Sequence, residues 1–255
     1  TPVPNLNDVQ WLAQGGYNYC AVRSNGRVSC WGEDWGVEPL EVMGLDQMVA
    51  VDVDRSHACA LDEAGDVWCW GANDVGQLGQ GDREPREEPV RVQGLGPGRQ
   101  VVTVLSMSCV VTTSDQLWCW GNPNSMPVNP GQVADAPQRA PAVEPVAVLQ
   151  KLPGAWRNAI RAHDPEGRFI TWNDDNQRDN NVTIHPDAPT YRVSAGGYGH
   201  FCWVPEDGIL RCRGHATNGQ LGIGIEPYIL QPTALDHTPR AQHLSGVVTM
   251  CLVDL

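Results

Sequence analysis

Lysine is almost absent from this chain. Lys151 is the single lysine among 17 basic residues, which face 30 acidic residues and leave a formal net charge of −13. Nucleic acid and anionic membrane surfaces repel a protein of this charge, so we expect neither as a partner. The strong preference for arginine over lysine is typical of a GC-rich genome and favours a bacterial origin.

Long apolar runs are also absent. No stretch approaches the roughly 18 apolar residues that a membrane span needs, so no membrane insertion is expected. The sequence opens at Thr1 without a signal-like apolar segment. We therefore interpret it as a mature protein, a domain or a trimmed piece of a longer chain, and we take its localisation from the cysteines.

The sequence does contain one phrase that recurs. Residues 59–71 read CALDEAGDVWCWG, with two cysteines ten residues apart, a glycine between them and Trp-Gly at the end. Ungapped copies cover 20–32, 59–71, 109–121, 161–173 and 202–214, and a partial sixth copy opens at Cys251. The copies begin 39 to 52 residues apart, which is the spacing of β-propeller blades.

Each copy is typical of a β-hairpin. If Cys59 faces Cys69, the loop is Glu63-Ala64-Gly65, a three-residue hairpin whose last loop residue adopts the left-handed conformation. Glycine accepts that conformation freely, and aspartate tolerates it. The corresponding position is occupied by Gly26, Gly65, Asp115, Gly167 and Gly208.

The second strand of the hairpin is apolar on both faces. Val28, Val67 and Leu117 share a face with the second cysteine, while the tryptophans at 31, 70, 120 and 172 point the other way. A strand of this kind is covered on both sides, as in the sheets of a propeller that stack around a ring. In a sandwich, by contrast, one face of each sheet is exposed to solvent.

Opposed positions of a hairpin bring two Cβ atoms to about 4.5–5.5 Å, close to what a disulfide needs. The fourth copy carries Arg161 and Thr171 in the two cysteine positions, so both cysteines are missing together. We expect four disulfides, with the pairs Cys20–Cys30, Cys59–Cys69, Cys109–Cys119 and Cys202–Cys212. Disulfides persist in oxidising compartments, so a secreted, periplasmic or cell-surface protein is expected.

Other roles for the cysteines are disfavoured. A zinc site is built from ligands at short paired spacings, and the chain has no CxxC. A redox thiol needs activation by a neighbouring cation or a helix start, and cysteines beside tryptophan in a blade core are more simply interpreted as structural. Cys251 is left unpaired, and its partner is expected ten residues on, beyond Leu255; a buried free thiol and a bridge to another chain are the alternatives.

The stretches GDVWCWGANDVGQLGQG (65–81) and GHATNGQLGIG (214–224) resemble the regulator-of-chromosome-condensation repeat family. The resemblance implies an all-β fold: a single propeller domain over 1–255, with four-stranded blades, five of them recognisable and a sixth partial. The hairpin supplies two strands of each blade, and segments such as MVAVDVD (48–54) and PVRV (89–92) supply the others. The family archetype is a nucleotide-exchange factor on chromatin, a role that the acidic surface disfavours.

No catalytic signature is present. The sequence has no GxSxG, no HExxH and no phosphate-cradling loop, so we expect no enzyme activity, no catalytic residues, no metal and no cofactor. A hydrolase with carboxylates converging on the central channel stays open. The polar run 173–181 is interpreted as a solvated loop, because the glycine and glutamate of a hand-type calcium loop are missing.

The function expected from these features is protein binding by loops on a rigid scaffold, with assembly at a cell surface as one setting. A carbohydrate-binding or cell-wall-binding propeller is the alternative. Candidate anchors are aromatic residues outside the repeat positions, which otherwise pack under loops: Trp35, Trp156, Tyr198, Trp203 and Tyr228. His57 and His200, two places before a first cysteine, are interpreted as side chains that bond to a neighbouring blade, with a ligand or general base as the other interpretation.

Overall fold

A computed structural model describes most of the first two thirds of the chain and separate strands beyond it. The described residues are 3, 5–104, 106–122, 133–151, 160–165, 168–172, 182–185, 191–197, 200–205, 211–215, 228–234, 243–245 and 251–253. Side chains are described only within the part that ends at residue 170.

The described strands form antiparallel sheets in chain order. The first sheet contains β1 (Val9–Gly15), β2 (Asn18–Arg23), β3 (Val28–Gly32) and β4 (Gly36–Glu41). The second contains β5 (Met48–Val53), β6 (His57–Asp62), β7 (Val67–Gly71) and β8 (Arg86–Arg91). The third contains β9 (Gly98–Val104), β10 (Met107–Thr112), β11 (Leu117–Gly121) and β12 (Ala134–Arg139), and a 3₁₀ helix follows at Pro141–Val143.

Two further four-stranded sheets and one pair of strands follow. The fourth sheet contains β13 (Val148–Lys151), β14 (Ile160–His163), β15 (Phe169–Trp172) and β16 (Val182–His185). The fifth contains β17 (Tyr191–Gly197), β18 (His200–Pro205), β19 (Arg211–His215) and β20 (Tyr228–Ala234). The sixth group is the pair β21 (His243–Ser245) and β22 (Cys251–Val253). The expected propeller of four-stranded blades, with five recognisable blades and a partial sixth, is confirmed; we call the sheets blades 1 to 6.

The hairpin register is the expected one. Cys59 lies opposite Cys69 in the β6–β7 pair. Asp62 N donates to Asp66 O at 3.1 Å and Gly65 N donates to Asp62 O at 3.0 Å, which closes the three-residue loop. Gly26, Gly65 and Asp115 have φ values of 75°, 86° and 58°, as the left-handed loop position requires. The corresponding residues 167 and 208 lie outside the described part of the chain.

The glycine of each described Trp-Gly pair is required by a close backbone approach. Gly71 has a φ of 103°, and a Cβ atom on it would overlap the carbonyl oxygen of Ser56. That same carbonyl accepts a hydrogen bond from Ala72 N at 2.8 Å. Gly32 and Gly121 meet the equivalent carbonyls of blades 1 and 3. The repeat keeps glycine here because the strand end must lie directly against the start of the hairpin.

The core lies between the blades. The cysteine-bearing face of blade 1 (Cys20, Val22, Val28 and Cys30) packs with Ala58, Ala60 and Trp70 of blade 2 in one buried cluster. The cysteine-bearing face of blade 2 joins Trp120 of blade 3 in the next cluster. Trp70 and Trp120 are both fully buried, as are Val67 and Leu117 on the opposite faces of β7 and β11. Both faces of these two strands are therefore covered, as the sequence pattern indicates.

The first and last strands of blade 2 follow the expected segments with small shifts. The segment MVAVDVD forms β5 except for its last residue, Asp54. The first three residues of PVRV form the end of β8, which begins earlier at Arg86, and Val92 follows the strand. Within the described residues, no helix has the length and apolar character needed to cross a membrane.

Candidate functional site

The first strands of neighbouring blades contact one another from β1 to β13, as the innermost strands of a propeller do. Lys151, at the end of β13, reaches across this centre. Its Nζ atom donates to Val53 O at 2.7 Å and to Gln14 O at 3.2 Å, and it lies 3.3 Å from Asp52 Oδ1. The ammonium group of the single lysine thereby joins blade 4 to blades 1 and 2.

Asp52 extends this contact to blade 3. Its Oδ2 atom accepts a hydrogen bond from Thr103 N at 2.7 Å. Burial raises the pKa of the Asp52 carboxyl, against the opposing effects of the Lys151 charge and the Thr103 hydrogen bond. Both side chains of the ion pair are mostly buried, with 19% of Lys151 and 15% of Asp52 exposed. We call Lys151, Asp52, Thr103, Gln14 and Val53 the central cluster.

His57 bonds to the neighbouring blade, as expected from its repeat position. Its Nε2 atom lies 3.0 Å from Ser108 Oγ, and Ser108 Oγ donates its one hydrogen to Gln77 O at 2.8 Å. The serine oxygen must therefore accept from the imidazole, which assigns the Nε2–H tautomer to His57. Trp120 Nε1 donates to the same Gln77 carbonyl at 2.8 Å. His200 lies in β18, where only the backbone is described.

Burial holds His57 in its neutral form. The pKa of His57 is lowered to about 4, chiefly by desolvation; the Asp54 carboxylate opposes this effect, and the nearby Lys151 charge adds to it. A histidine with this pKa and a hydrogen bond fixed in the core is a structural contact between blades 2 and 3. Among the described residues, no group of three or more His, Cys, Asp or Glu side chains is arranged to hold a metal ion.

Three of the four expected cysteine pairs are joined in the structure: Cys20–Cys30, Cys59–Cys69 and Cys109–Cys119. Cys202 lies opposite Cys212 in the β18–β19 pair. In the β14–β15 pair, Ala162 lies opposite Ile170, and Arg161 and Thr171 are the residues next to them in the sequence. Cys251 lies opposite Ser245. The side chains of 202, 212 and 251 lie outside the described part.

Trp35 is the one candidate anchor whose side chain is described. It is half-buried and meets Trp70 edge to face, with ring centroids 6.1 Å apart, so part of it belongs to the core between blades 1 and 2. Trp203 and Tyr228 lie in β18 and β20, whose backbones alone are described, and residues 156 and 198 lie outside the described part, as does the polar run 173–181.

Sequence reasoning missed the exposed aliphatic residues of blade 1. Val37 and Leu40, on β4, are 96% and 60% exposed, and Met43, in the turn that follows, is 67% exposed. We call these three residues the apolar edge. Alignment of the outer strands by repeat position was the signal that could have singled them out, but only the structure showed that they are uncovered.

The family comparison matches one repeat. Residues 64–109 match the family model of the regulator of chromosome condensation (RCC1) repeat. This match supports the resemblance that the sequence motifs carry. No curated protein sequence matches the chain.

Solved structures share the fold at low sequence identity. The structure of human WBSCR16 has a TM-score of 0.78 and 18% identity, over 96% of this chain and 71% of that one. Prp20p from Saccharomyces cerevisiae has a TM-score of 0.66 and 20% identity, over 90% of this chain and 64% of that one. Yeast RCC1 (Prp20) bound to Kap60 has a TM-score of 0.70 and 20% identity, over 95% and 65%. The chain thus spans just under two thirds of the two yeast structures, and at these identities the likeness shows the fold.

Proposed function

We propose that this β-propeller, which carries RCC1-type repeats, is a non-catalytic scaffold that binds another protein outside the cytoplasm. The observation that carries the proposal is that polar groups of the interior form hydrogen bonds or ion pairs with a neighbouring blade. These residues are Lys151, Asp52, Thr103, His57 and Ser108. Groups engaged in this way fix the blades relative to one another, and a fixed ring is a suitable support for binding loops.

Similar structures favour a protein as the partner. Prp20p is described with binding properties to Gsp1p and histones, and yeast RCC1 (Prp20) was solved with Kap60 bound. The excess of 13 acidic charges argues that this chain differs from a histone-associated or DNA-associated protein, since the DNA backbone would repel it. We therefore extend only the general property, protein binding, to this chain.

The cysteines support an extracytoplasmic location. Three joined pairs in adjacent blades are typical of proteins that fold in an oxidising compartment, such as the periplasm or the cell exterior. We propose the fourth pair, Cys202–Cys212, for the same reason, and a bacterial source from the arginine preference.

An affinity experiment tests the proposal. The purified, disulfide-intact protein is immobilised and exposed to secreted and cell-envelope proteins of the source organism, and in parallel to a glycan array. The matched control is the same protein after reduction and alkylation, which breaks the disulfide bonds within the blades. We expect saturable capture of a specific protein by the intact form only. Saturable binding to glycans without any captured protein would replace the proposal with a carbohydrate-binding propeller, and turnover of a bound glycan would replace it with a hydrolase.

A further inference from the structure

We propose that the apolar edge of blade 1, Val37, Leu40 and Met43, docks a partner segment that presents apolar side chains flanked by arginine or lysine. The inference rests on the proposed protein-binding function and assigns it a surface and a partner chemistry. It stands on three observations: the exposure of these residues, their difference from the other blades, and the charge around them.

The outer strands of the first three blades share one register, which permits a position-by-position comparison. Leu40, Val90 and Gln138 lie opposite the second cysteine of their own blades. Gly36, Arg86 and Ala134 lie opposite the Trp-Gly glycine. Val37 therefore corresponds to Glu87 and Asp135, and Met43 corresponds to Gln93.

The comparison shows that blade 1 is apolar at two positions where blade 2 is polar, whereas the Leu40 position is also apolar in blade 2, as Val90. At the Val37 position blades 2 and 3 have carboxylates, and at the Met43 position blade 2 has an amide. Neither Val37 nor Met43 is needed to build this part of the blade, because blade 2 forms the same strand and turn with polar residues at these positions. Val37 is almost fully exposed, so folding buries almost none of its apolar surface and leaves it available to a partner.

The backbone of the edge is blocked against strand addition. Val42 N donates to Val28 O and Leu40 lies opposite Cys30, so this part of β4 is already paired with β3. Pro39, between Leu40 and the register shift of this pair, has no N–H to offer to an added strand. Pro89 and Pro137 occupy the same position in blades 2 and 3. Proline here protects an edge strand from pairing, so a partner must be held by side chains.

The charge around the edge selects the partner. Residues 32–46 contain five acidic residues and no basic residue: Glu33, Asp34, Glu38, Glu41 and Asp46. Arg27 forms ion pairs with two of them: its Nη1 atom lies 3.2 Å from Glu41 Oε1, and its Nε atom lies 3.8 Å from Asp46 Oδ1. The remaining carboxylates attract a segment with basic residues on both sides of its apolar centre.

The test uses three labelled synthetic peptides and three protein forms. The first peptide has a Leu-Val-Leu centre flanked by arginines, the second has the same centre flanked by glutamates, and the third has a serine centre flanked by arginines. The proteins are the wild type, Val37→Glu/Met43→Gln, and the control Gln93→Glu, which adds one negative charge to the equivalent edge of blade 2. The double variant introduces only residues that blade 2 already carries at these positions. Circular dichroism and disulfide mapping check that all three are folded.

We expect the arginine-flanked apolar peptide to bind the wild type and Gln93→Glu equally, and to bind the double variant at least about tenfold more weakly. The other two peptides should bind the wild type at least about tenfold more weakly than the first. Added salt should weaken the interaction because the charges are exposed. Since Val37→Glu adds a negative charge, purely electrostatic binding would instead become tighter in the double variant, and that result would overturn the proposal.

Two further outcomes would also overturn it. Unchanged peptide binding by the double variant would exclude the apolar edge. A wild-type dimer in solution that the double variant dissolves would make a second copy of this chain the occupant.

The experiments distinguish an error in the proposed function from an error in the proposed surface. If the double variant captures the native protein partner as well as the wild type does, the scaffold function stands and this surface is excluded. If the wild type captures no protein at all, the function itself is excluded.

Discussion

Lys151 Nζ lies 3.3 Å from Asp52 Oδ1, so the single lysine of the chain forms its ion pair across the innermost strands, with a residue two blades away. Asp52 is bonded in turn to Thr103 of the blade between them. The central cluster therefore connects blades 1 to 4 through one cation and one carboxylate. A buried ion pair of this kind contributes less to net stability than to fixing the relative positions of the parts it joins.

Replacing the cation should be strongly destabilising. Lys151→Met leaves the Asp52 carboxylate without its ion-pair partner in a mostly buried site and removes the donor to the Gln14 and Val53 carbonyls. We expect a loss of about 3–5 kcal/mol in the free energy of unfolding, measured by urea denaturation. The double variant Lys151→Met/Asp52→Asn should lose less than Lys151→Met alone, because the buried charge is gone.

An equal or larger loss in that double variant would show that packing of the lysine chain, and not its charge, matters. Because Lys151 is the only lysine, an amine-reactive reagent reports on one ε-amino group. In the folded protein its labelling should be much slower than in urea, and rapid labelling in the native state would contradict the central cluster.

Acid should weaken the contact between blades 2 and 3 through His57. The folded pKa of His57 is about 4, against an ordinary value of 6.5, so the unfolded chain takes up this proton first as the pH falls. The stability contributed by neutral His57 is fully present above pH 6.5 and is lost progressively from pH 6.5 to about 4, by roughly 3 kcal/mol at about 1.4 kcal/mol per pKa unit. His57→Gln retains an N–H donor toward Ser108 and has no charge to gain.

Wild type and His57→Gln should therefore diverge as the pH falls through this window, when the free energy of unfolding is measured at several pH values. The raised pKa of Asp52 acts in the opposite direction, since a carboxyl that holds its proton more tightly when folded gains stability as the pH falls. That effect is common to both proteins and cancels in their difference. Parallel pH profiles would contradict the lowered pKa, because they would show that His57 takes up its proton at the same pH in the native and unfolded states.

The cysteine pairs should be recoverable as linked peptides. Mass mapping without reduction is expected to find the three pairs joined in blades 1 to 3, and also Cys202–Cys212, which we propose from its register. Cys59→Ala/Cys69→Ala should lower the free energy of unfolding by about 3 kcal/mol. The disulfide joins residues ten positions apart, and without it the unfolded chain regains the entropy that this loop had lost. Free thiols at two or more of these pairs in freshly isolated protein would contradict both the pairing and the extracytoplasmic location.

The Trp-Gly glycine should tolerate no side chain. Gly71→Ala places a methyl group on the Ser56 carbonyl at a φ of 103°, and we expect a loss of roughly 2–5 kcal/mol. Gly94→Ala is the matched control, because Gly94 also has a positive φ, 82°, but has open space where the Cβ would lie. It should lose only about 1–2 kcal/mol, the conformational cost alone. Equal thermal stabilities of the two variants would contradict the steric explanation for the glycine that follows tryptophan in each repeat.

Most of the local structure was predictable from the sequence. The opposition of Cys59 and Cys69, the loop 63–65 and the left-handed position at Gly26, Gly65 and Asp115 all follow from residues within one hairpin. Their geometry is set by strand pairing and turn conformation, which depend on neighbours only a few residues away. The blade count followed in the same way, because each copy of the phrase marks one hairpin.

The residues of the candidate binding surface could not be predicted from the sequence in the same way. Trp35 was singled out as an anchor because it lies outside the repeat positions, and the structure places half of it against Trp70. Val37 drew no attention, although it is the most exposed of the large apolar residues in the described part of the chain. Exposure depends on which blade face covers a side chain, and a periodic pattern does not contain that information.

The sequence by itself determined the repeat, the strand register, the loop chemistry and the pairing of cysteines, since these are interactions between residues about ten positions apart. Only the tertiary structure decided that Lys151 meets Asp52 across 99 residues and that His57 meets Ser108 across 51. These contacts form when the blades stack around a common centre, and the stacking is selected by the burial of whole faces rather than by any local motif. The charged and polar residues of the interior therefore acquire their partners, and their altered pKa values, only once the ring of blades is assembled.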